Sequence, residues 1–322
     1  MGAGSWGTAL ALLLAGNDYP VRLWDRDAGR IADLLASREN RRYLPGIALP
    51  DAVAPVASLT DAVKDAVCVV VAVPSNAVRA LLEALPRPFP DTTDLVLAAK
   101  GMENDSGLLP AEIAEELKMS HSVALSGPNL AGEVAKGIPT AAVAACPDEA
   151  RAKRVATYFN SPTFRVYSST DRTGVEIGGD IKNVLAIAGG VSDGLGFGDN
   201  TKAALLTRGL AEMARFGAAS GAKPGTFYGL AGVGDLMATA ASRLSRNYRV
   251  GEALAKNEPL ADILARLGQV AEGVTTARAV TARAARIGVE LPVCDAVARL
   301  LFEGTSPEAE VSALMRRAPR EE

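Results

Sequence analysis

The chain has 322 residues, 48% of them hydrophobic, with 34 basic and 37 acidic side chains for a net charge of −3. That length fills one large or two ordinary domains, and the near-neutral balance offers no electrostatic footprint for nucleic acid or an anionic membrane. Three cysteines, Cys68, Cys146 and Cys294, lie far apart without CxxC spacing, which excludes a disulfide framework and a thiolate metal site and fits a cytoplasmic home.

The first element opens on Gly2-Ala3-Gly4-Ser5-Trp6-Gly7, a G-x-G-x-x-G string that runs into the apolar helix pattern Thr8 to Ala15. With no basic segment before it and too few residues to span a bilayer, Thr8 to Ala15 reads as a buried helix. Gly2, Gly4 and Gly7 allow a tight turn and a close backbone approach, and the helix start then presents N–H groups to a pyrophosphate. The fingerprint requires a strand directly before its first glycine, and only Met1 precedes Gly2; a strand of about five or six residues is therefore expected ahead of the start as given, supplied by an earlier start codon. The strand Val21 to Trp24 follows and ends in Asp25-Arg26, about where an acidic group meets the ribose 2′-hydroxyl of NAD or an arginine meets the 2′-phosphate of NADP. Both partner types are present, so the spacing leaves NAD and NADP open.

Val67 to Val73, Leu95 to Ala99, Val123 to Leu125, Ala141 to Ala145 and Phe164 to Tyr167 also read as strands, alternating with helical patterns. The expected architecture is α/β, a Rossmann-type doubly wound sheet over residues 1–176. Pro74-Ser75-Asn76, Lys100-Gly101 and Ser126-Gly127-Pro128-Asn129 then fall at carboxyl ends of strands, the ligand edge of such a sheet. His121 is the sole histidine and precedes a strand, which removes histidine triads and multi-histidine metal sites from consideration. Beyond Ile177 the strand patterns stop. Lys202 to Phe216, Leu260 to Leu267, Thr276 to Arg286 and Cys294 to Phe302 read as packed helices, giving an all-helical domain over residues 177–322, with the active site expected in the cleft between the two domains.

That second half opens on Gly178-Gly179-Asp180-Ile181-Lys182-Asn183. Ile181, Val184, Leu185 and Ala188 form a stripe for the core, whereas Lys182 shares its side with Ala186, Gly189 and Asp193. Small residues around a lysine leave room for a ligand, and burial would lower the amine toward the neutrality a general base for an alcohol proton requires. The competing reading is a snorkelling surface lysine. Downstream, Gly232-Val233-Gly234-Asp235 leads into a helix, and Arg246 with Arg243 makes a small cationic face suited to a phosphate.

Taken together, these strings, with Thr8-Ala9-Leu10, Ser192 to Gly198, Thr207-Arg208-Gly209, Ser245-Arg246-Asn247 and Glu272-Gly273, resemble the bacterial NAD(P)-dependent glycerol-3-phosphate dehydrogenases over nearly the whole chain. The resemblance implies a second domain of the 6-phosphogluconate dehydrogenase C-terminal kind. It also implies interconversion of sn-glycerol 3-phosphate and dihydroxyacetone phosphate for phospholipid synthesis, with a homodimer as the assembly. Carried over by position, Lys182 matches the proton acceptor and donor. Lys100, Gly127, Asp235, Ser245, Arg246 and Asn247 match substrate contacts, with Asn129 standing where many relatives have threonine. Ser5, Trp6, Arg26, Tyr43, Lys100, Ala131, Arg246, Val270 and Glu272 match contacts to NADP or NAD. Two other readings stay open on the sequence: a lysine-based reductase of a keto acid such as ketopantoate, and a dinucleotide sensor without catalysis.

Overall fold

A computed structural model describes residues 1–119 and 121–318. Contacts within the chain group residues 1–100 and 108–176 into one unit, and residues 101–107 and 177–322 into a second.

The first unit begins with α1 (Ser5–Gly16), β1 (Val21–Trp24), α2 (Ala28–Ser37), β2 (Val53–Val56), α3 (Leu59–Val63), β3 (Cys68–Val71) and α4 (Val78–Ala84). It continues through β4 (Asp94–Leu97), α5 (Pro110–Glu116), β5 (Val123–Ser126), α6 (Ala131–Val134), β6 (Thr140–Ala145), α7 (Glu149–Phe159) and β7 (Phe164–Ser169). Strands β3 to β7 form one sheet in sequential order, while β1 and β2 pair separately. Every pairing is parallel except β5 with β6. The whole of β4 and β5 is buried, as continuous apolar runs covered on both faces must be. One face packs Leu10, Val155 and Phe159; the other packs Leu82, Ile113 and Met119. Met1 and Gly2 run between the ends of β1 and β3, where the Gly2 N–H donates to the Trp24 carbonyl at 2.8 Å and the Ala72 N–H donates to the Met1 carbonyl at 2.9 Å.

Strand β2 was not expected. Among the described residues it pairs only with β1, and Pro55 within it suits an edge while hiding it from a search for unbroken β-formers. The helix expected to open near Gly178 starts earlier, as α8 (Arg172–Gly194). The second unit continues with α9 (Asp199–Ala219), α10 (Asp235–Ala240), α11 (Arg246–Leu254), α12 (Leu260–Leu267), α13 (Glu272–Arg286), α14 (Pro292–Phe302) and α15 (Pro307–Met315). Local chemistry explains the boundaries: Ser245 and Ser306 cap α11 and α15 through their side chains, prolines begin α14 and α15, and Gly268 closes α12 at φ +60. Among the described residues no helix is long and apolar enough to cross a membrane.

Candidate active site

In the first unit the glycine string forms the turn its spacing predicts. Gly2 has φ +91, and a Cβ there would lie 2.9 Å from the Ala72 carbonyl oxygen; at Gly7 it would lie 1.9 Å from the Gly2 carbonyl oxygen. Only glycine fits either position. Gly4 caps α1 without a side chain, and no acidic residue occupies the first turn, so the positive end of the helix is unquenched. Trp6 Nε1 is buried without a partner among the described residues, an unsatisfied donor beside the turn. Ser5 Oγ donates to the Tyr43 carbonyl at 2.8 Å. The Tyr43 ring lies 4.9 Å from the Arg30 guanidinium and 5.3 Å from that of Arg42, so two matched cofactor positions sit together beside a cationic cluster.

Asp25 does not present itself as a ribose acceptor. It is buried; its Oδ2 accepts from the Ala3 N–H at 2.9 Å and pairs with Arg30 at 2.7 Å, and its Oδ1 accepts from the Asp27 N–H at 3.0 Å. It braces the glycine turn, while Arg26 next to it is exposed.

At the ends of β4 and β5, Lys100 Nζ donates to the Gly127 carbonyl at 2.8 Å. Gly127 has φ +148, and a Cβ there would lie 2.9 Å from the Ala141 carbonyl oxygen. Asn129 Nδ2 donates to that same Ala141 oxygen at 3.0 Å, which anchors the turn to β6. Ala131 is the first residue of α6. His121 is exposed in the turn before β5.

In the second unit Lys182 is buried on α8. Its Nζ lies 3.0 Å from Asp235 Oδ1 and donates to Thr239 Oγ1 at 2.7 Å, and Thr239 donates in turn to Asp235 Oδ1 at 3.3 Å. The small residues around Lys182 serve a different purpose from the expected one. A Cβ at Gly178 would lie 2.3 Å from the Ala231 carbonyl oxygen, and one at Gly189 would touch Ala240 at 3.4 Å. The space is filled by the chain leading into α10 and by α10 itself, the helix that delivers Asp235 and Thr239.

The start of α11 carries the Ser-Arg-Asn string. Ser245 Oγ is occupied as the cap of the Tyr248 N–H at 3.2 Å. Asn247 Nδ2 donates to Asn183 Oδ1 at 2.8 Å, and Asn247 Oδ1 accepts from the Gly273 N–H at 2.9 Å. One amide therefore ties the residue after Lys182 to the residue after Glu272, at the start of α13. Arg243 is exposed and pairs with Glu252 at 3.5 Å. Val270 is exposed in the segment before α13.

A family model for the N-terminus of NAD-dependent glycerol-3-phosphate dehydrogenase matches residues 1–152, and the model for the C-terminus of the same enzymes matches residues 171–312. The chain belongs to the NAD-dependent glycerol-3-phosphate dehydrogenase family. It is 51% identical over 324 residues to a glycerol-3-phosphate dehydrogenase [NAD(P)+] of Thermus thermophilus, covering 100% of this chain and 98% of the relative. It is 48% identical over 326 residues to one of Anaeromyxobacter dehalogenans, with the same coverage. The crystal structure of glycerol-3-phosphate dehydrogenase from Coxiella burnetii superposes with a TM-score of 0.94 at 36% identity, over 98% of this chain and 97% of the other. Membership carries with it the Rossmann-type sheet, the helical second half and nicotinamide-dinucleotide dependence. Within this dehydrogenase frame, sequence reasoning quotes Asn183 in the string around Lys182 and does not single out Thr239. Thr239 stands four residues after Asp235, so both face one side of α10, a spacing that could have found it once Asp235 was chosen.

Proposed function

We propose that the chain interconverts sn-glycerol 3-phosphate and dihydroxyacetone phosphate using NADP or NAD, supplying glycerophospholipid synthesis, with Lys182 moving the proton at the C2 oxygen. The observation that carries this reading is the buried Lys182–Asp235–Thr239 triad, a proton-transfer group with a charge partner and a hydroxyl that fix its direction. The glycine turn, the uncapped start of α1 and the orphaned Trp6 Nε1 fit a dinucleotide, whose bound nicotinamide supplies or takes the hydride. Ser5, Tyr43 and Ala131 flank its binding face, Arg26 receives a 2′-phosphate, and Val270 and Glu272 contribute from the segment before and the start of α13.

In the reducing direction the Lys182 ammonium gives its proton to the oxygen that becomes the C2 hydroxyl, and Asp235 holds the ammonium in place until then. In the oxidising direction the amine takes that proton back, and the Asp235 carboxylate stabilises the charge that results. Lys100 with Gly127 and Asn129 orients the three-carbon backbone, and Arg246 holds the phosphate. Binding energy from that remote group fixes the pose of the reacting carbon. Because the Asn247 amide is engaged at both ends, we assign its substrate contact to its backbone N–H at the start of α11; the Ser245 N–H donates to the Ser242 carbonyl at 2.9 Å and its Oγ accepts from the Tyr248 N–H, so we assign the Ser245 contact to its hydroxyl proton. We place the enzyme in the cytoplasm as a homodimer, in keeping with its free cysteines and its resemblance to the bacterial enzymes.

The deciding experiment follows NADPH oxidation with dihydroxyacetone phosphate and with ketopantoate, for the native chain and Lys182→Ala. Turnover of only the phosphate ester, reduced about a hundredfold or more by the substitution, is expected. Turnover of ketopantoate alone would assign the keto-acid reductase, and saturable NADPH binding without turnover of either would assign a sensor.

A further inference from the structure

Tyr248 follows directly on the Ser245-Arg246-Asn247 string and is buried. It is fixed at both ends. Its N–H is capped by Ser245 Oγ at 3.2 Å, and its hydroxyl donates to Asp193 Oδ2 at 2.6 Å. Lys202, in the first turn of α9, donates to the same Asp193 oxygen at 2.6 Å and stands 5.2 Å from the centre of the Tyr248 ring. Asp193 lies about three turns beyond Lys182 on the same side of α8.

The backbone is locked at the same place. A Cβ at Gly190 of α8 would lie 2.0 Å from the Tyr248 carbonyl oxygen, and one at Gly251 of α11 would lie 2.0 Å from the Ile187 carbonyl oxygen. The two helices cross in backbone contact, and a Cβ at Gly194, farther along α8, would lie 2.5 Å from the Ala255 Cβ. The Tyr248–Asp193–Lys202 cluster adds a polar tie beside that crossing. Burial would raise the Asp193 carboxyl, but hydrogen bonds from Lys202 and Tyr248 outweigh it and hold the group below its usual range. Burial, then Asp193, push the Tyr248 hydroxyl up to about 12, so it remains a donor across the neutral range. Charged clusters of this kind contribute little to stability compared with apolar replacements of the same shape; what they supply is a fixed geometry.

We infer that Tyr248, held by Asp193 and Lys202, is a positioning residue that sets the Arg246 turn for the phosphate of the substrate. The inference rests on the proposed role of Arg246. A clamp on that turn acts on substrates that carry the phosphate and leaves the chemistry at the carbonyl untouched, whereas a merely structural role would affect both alike.

The test compares reduction of dihydroxyacetone phosphate and of dihydroxyacetone, which has the same carbonyl without the phosphate, by Tyr248→Phe, Lys202→Met and Arg246→Ala. For Tyr248→Phe and Lys202→Met the expected result is a KM for dihydroxyacetone phosphate raised about tenfold. Their kcat/KM for dihydroxyacetone should stay within about twofold of the native value. Either variant that folds decides the matter. An unchanged KM for the phosphate ester, or parallel losses on both substrates, overturns the clamp. If Arg246→Ala also leaves the preference for the phosphate ester intact, the assignment of the phosphate to Arg246 fails, and the clamp falls with it.

Discussion

At Asp25 and Arg26 two adjacent side chains compete, by type, for the same end of the cofactor. The Asp25 carboxylate already receives two backbone N–H groups and the Arg30 guanidinium, so a ribose diol would have to displace a donor that holds the glycine turn, at the cost of leaving it unsatisfied. Among the described residues Arg26 carries no such commitment, and it is exposed; Arg30 and Arg42 stack about Tyr43. We propose that this arrangement favours NADP. Arg26→Ala is expected to raise KM for NADPH by about tenfold to a hundredfold, the worth of one charge-assisted contact, and to leave KM for NADH within about twofold. Steady-state kinetics with both cofactors checks this; equal losses on both would return the ribose to Asp25.

Between elements, the crossing of α8 and α11 depends on glycines that look unfavourable inside helices. An alanine in place of a helical glycine ordinarily gains about 1 kcal/mol. At Gly251 the added methyl would lie 2.0 Å from the Ile187 carbonyl oxygen and 2.8 Å from the Val191 nitrogen, so the sign reverses. Gly251→Ala is expected to lose about 3 kcal/mol through overpacking, which lowers the melting temperature by about 6–12 °C for a domain of this size. Gly16→Ala, in α1 with nothing within 4 Å, is the control and should be neutral or slightly stabilised. Thermal melts of both variants measure the difference. The same glycines mark what the sequence could and could not reveal. Apolar runs such as Leu95 to Leu97 and the stripe Ile181, Val184, Leu185 announced strand and helix because their periodicity is local. The Gly178 and Gly189 positions were legible as small but not as places taken by Ala231 and Ala240, because that depends on a segment some fifty residues away. Lys182 and Asp235 were legible as candidates by type and by resemblance. The diversion of Asp25, Ser245 and Asn247 into structural bonds was not, since a side chain's partner is fixed only by the fold.

Across the molecule, two buried carboxyl groups outside the triad make stability depend on pH in an unusual direction. Burial pushes Glu176 up to about 8, against the opposing pull of Arg172, which is engaged with Glu115 and Ser122. Its Oε1 accepts from the Ala111 N–H at 3.0 Å, while Oε2 is buried without a partner among the described residues. Burial likewise pushes Glu212 up to about 7, although it caps α14 by accepting from the Val293 and Cys294 N–H groups. An unfolded glutamate titrates near 4.3. The folded chain therefore holds these protons more tightly than the unfolded chain, and unfolding releases them. Stability from these groups is fully present below about pH 4, declines as pH rises through 7 and 8, and is lost above. Glu176→Gln keeps an oxygen for the Ala111 N–H and carries no charge at any pH, so it should reduce the loss of stability between pH 5 and pH 9 by on the order of 3 kcal/mol. Glu212→Gln should reduce it less and should weaken the protein below pH 7, because an amide has only one oxygen for two N–H donors. Urea unfolding midpoints at pH 5 and pH 9 for the native chain and both variants measure these differences; a native midpoint that does not fall with pH would mean that Glu176 is hydrated enough to ionise normally in the folded state.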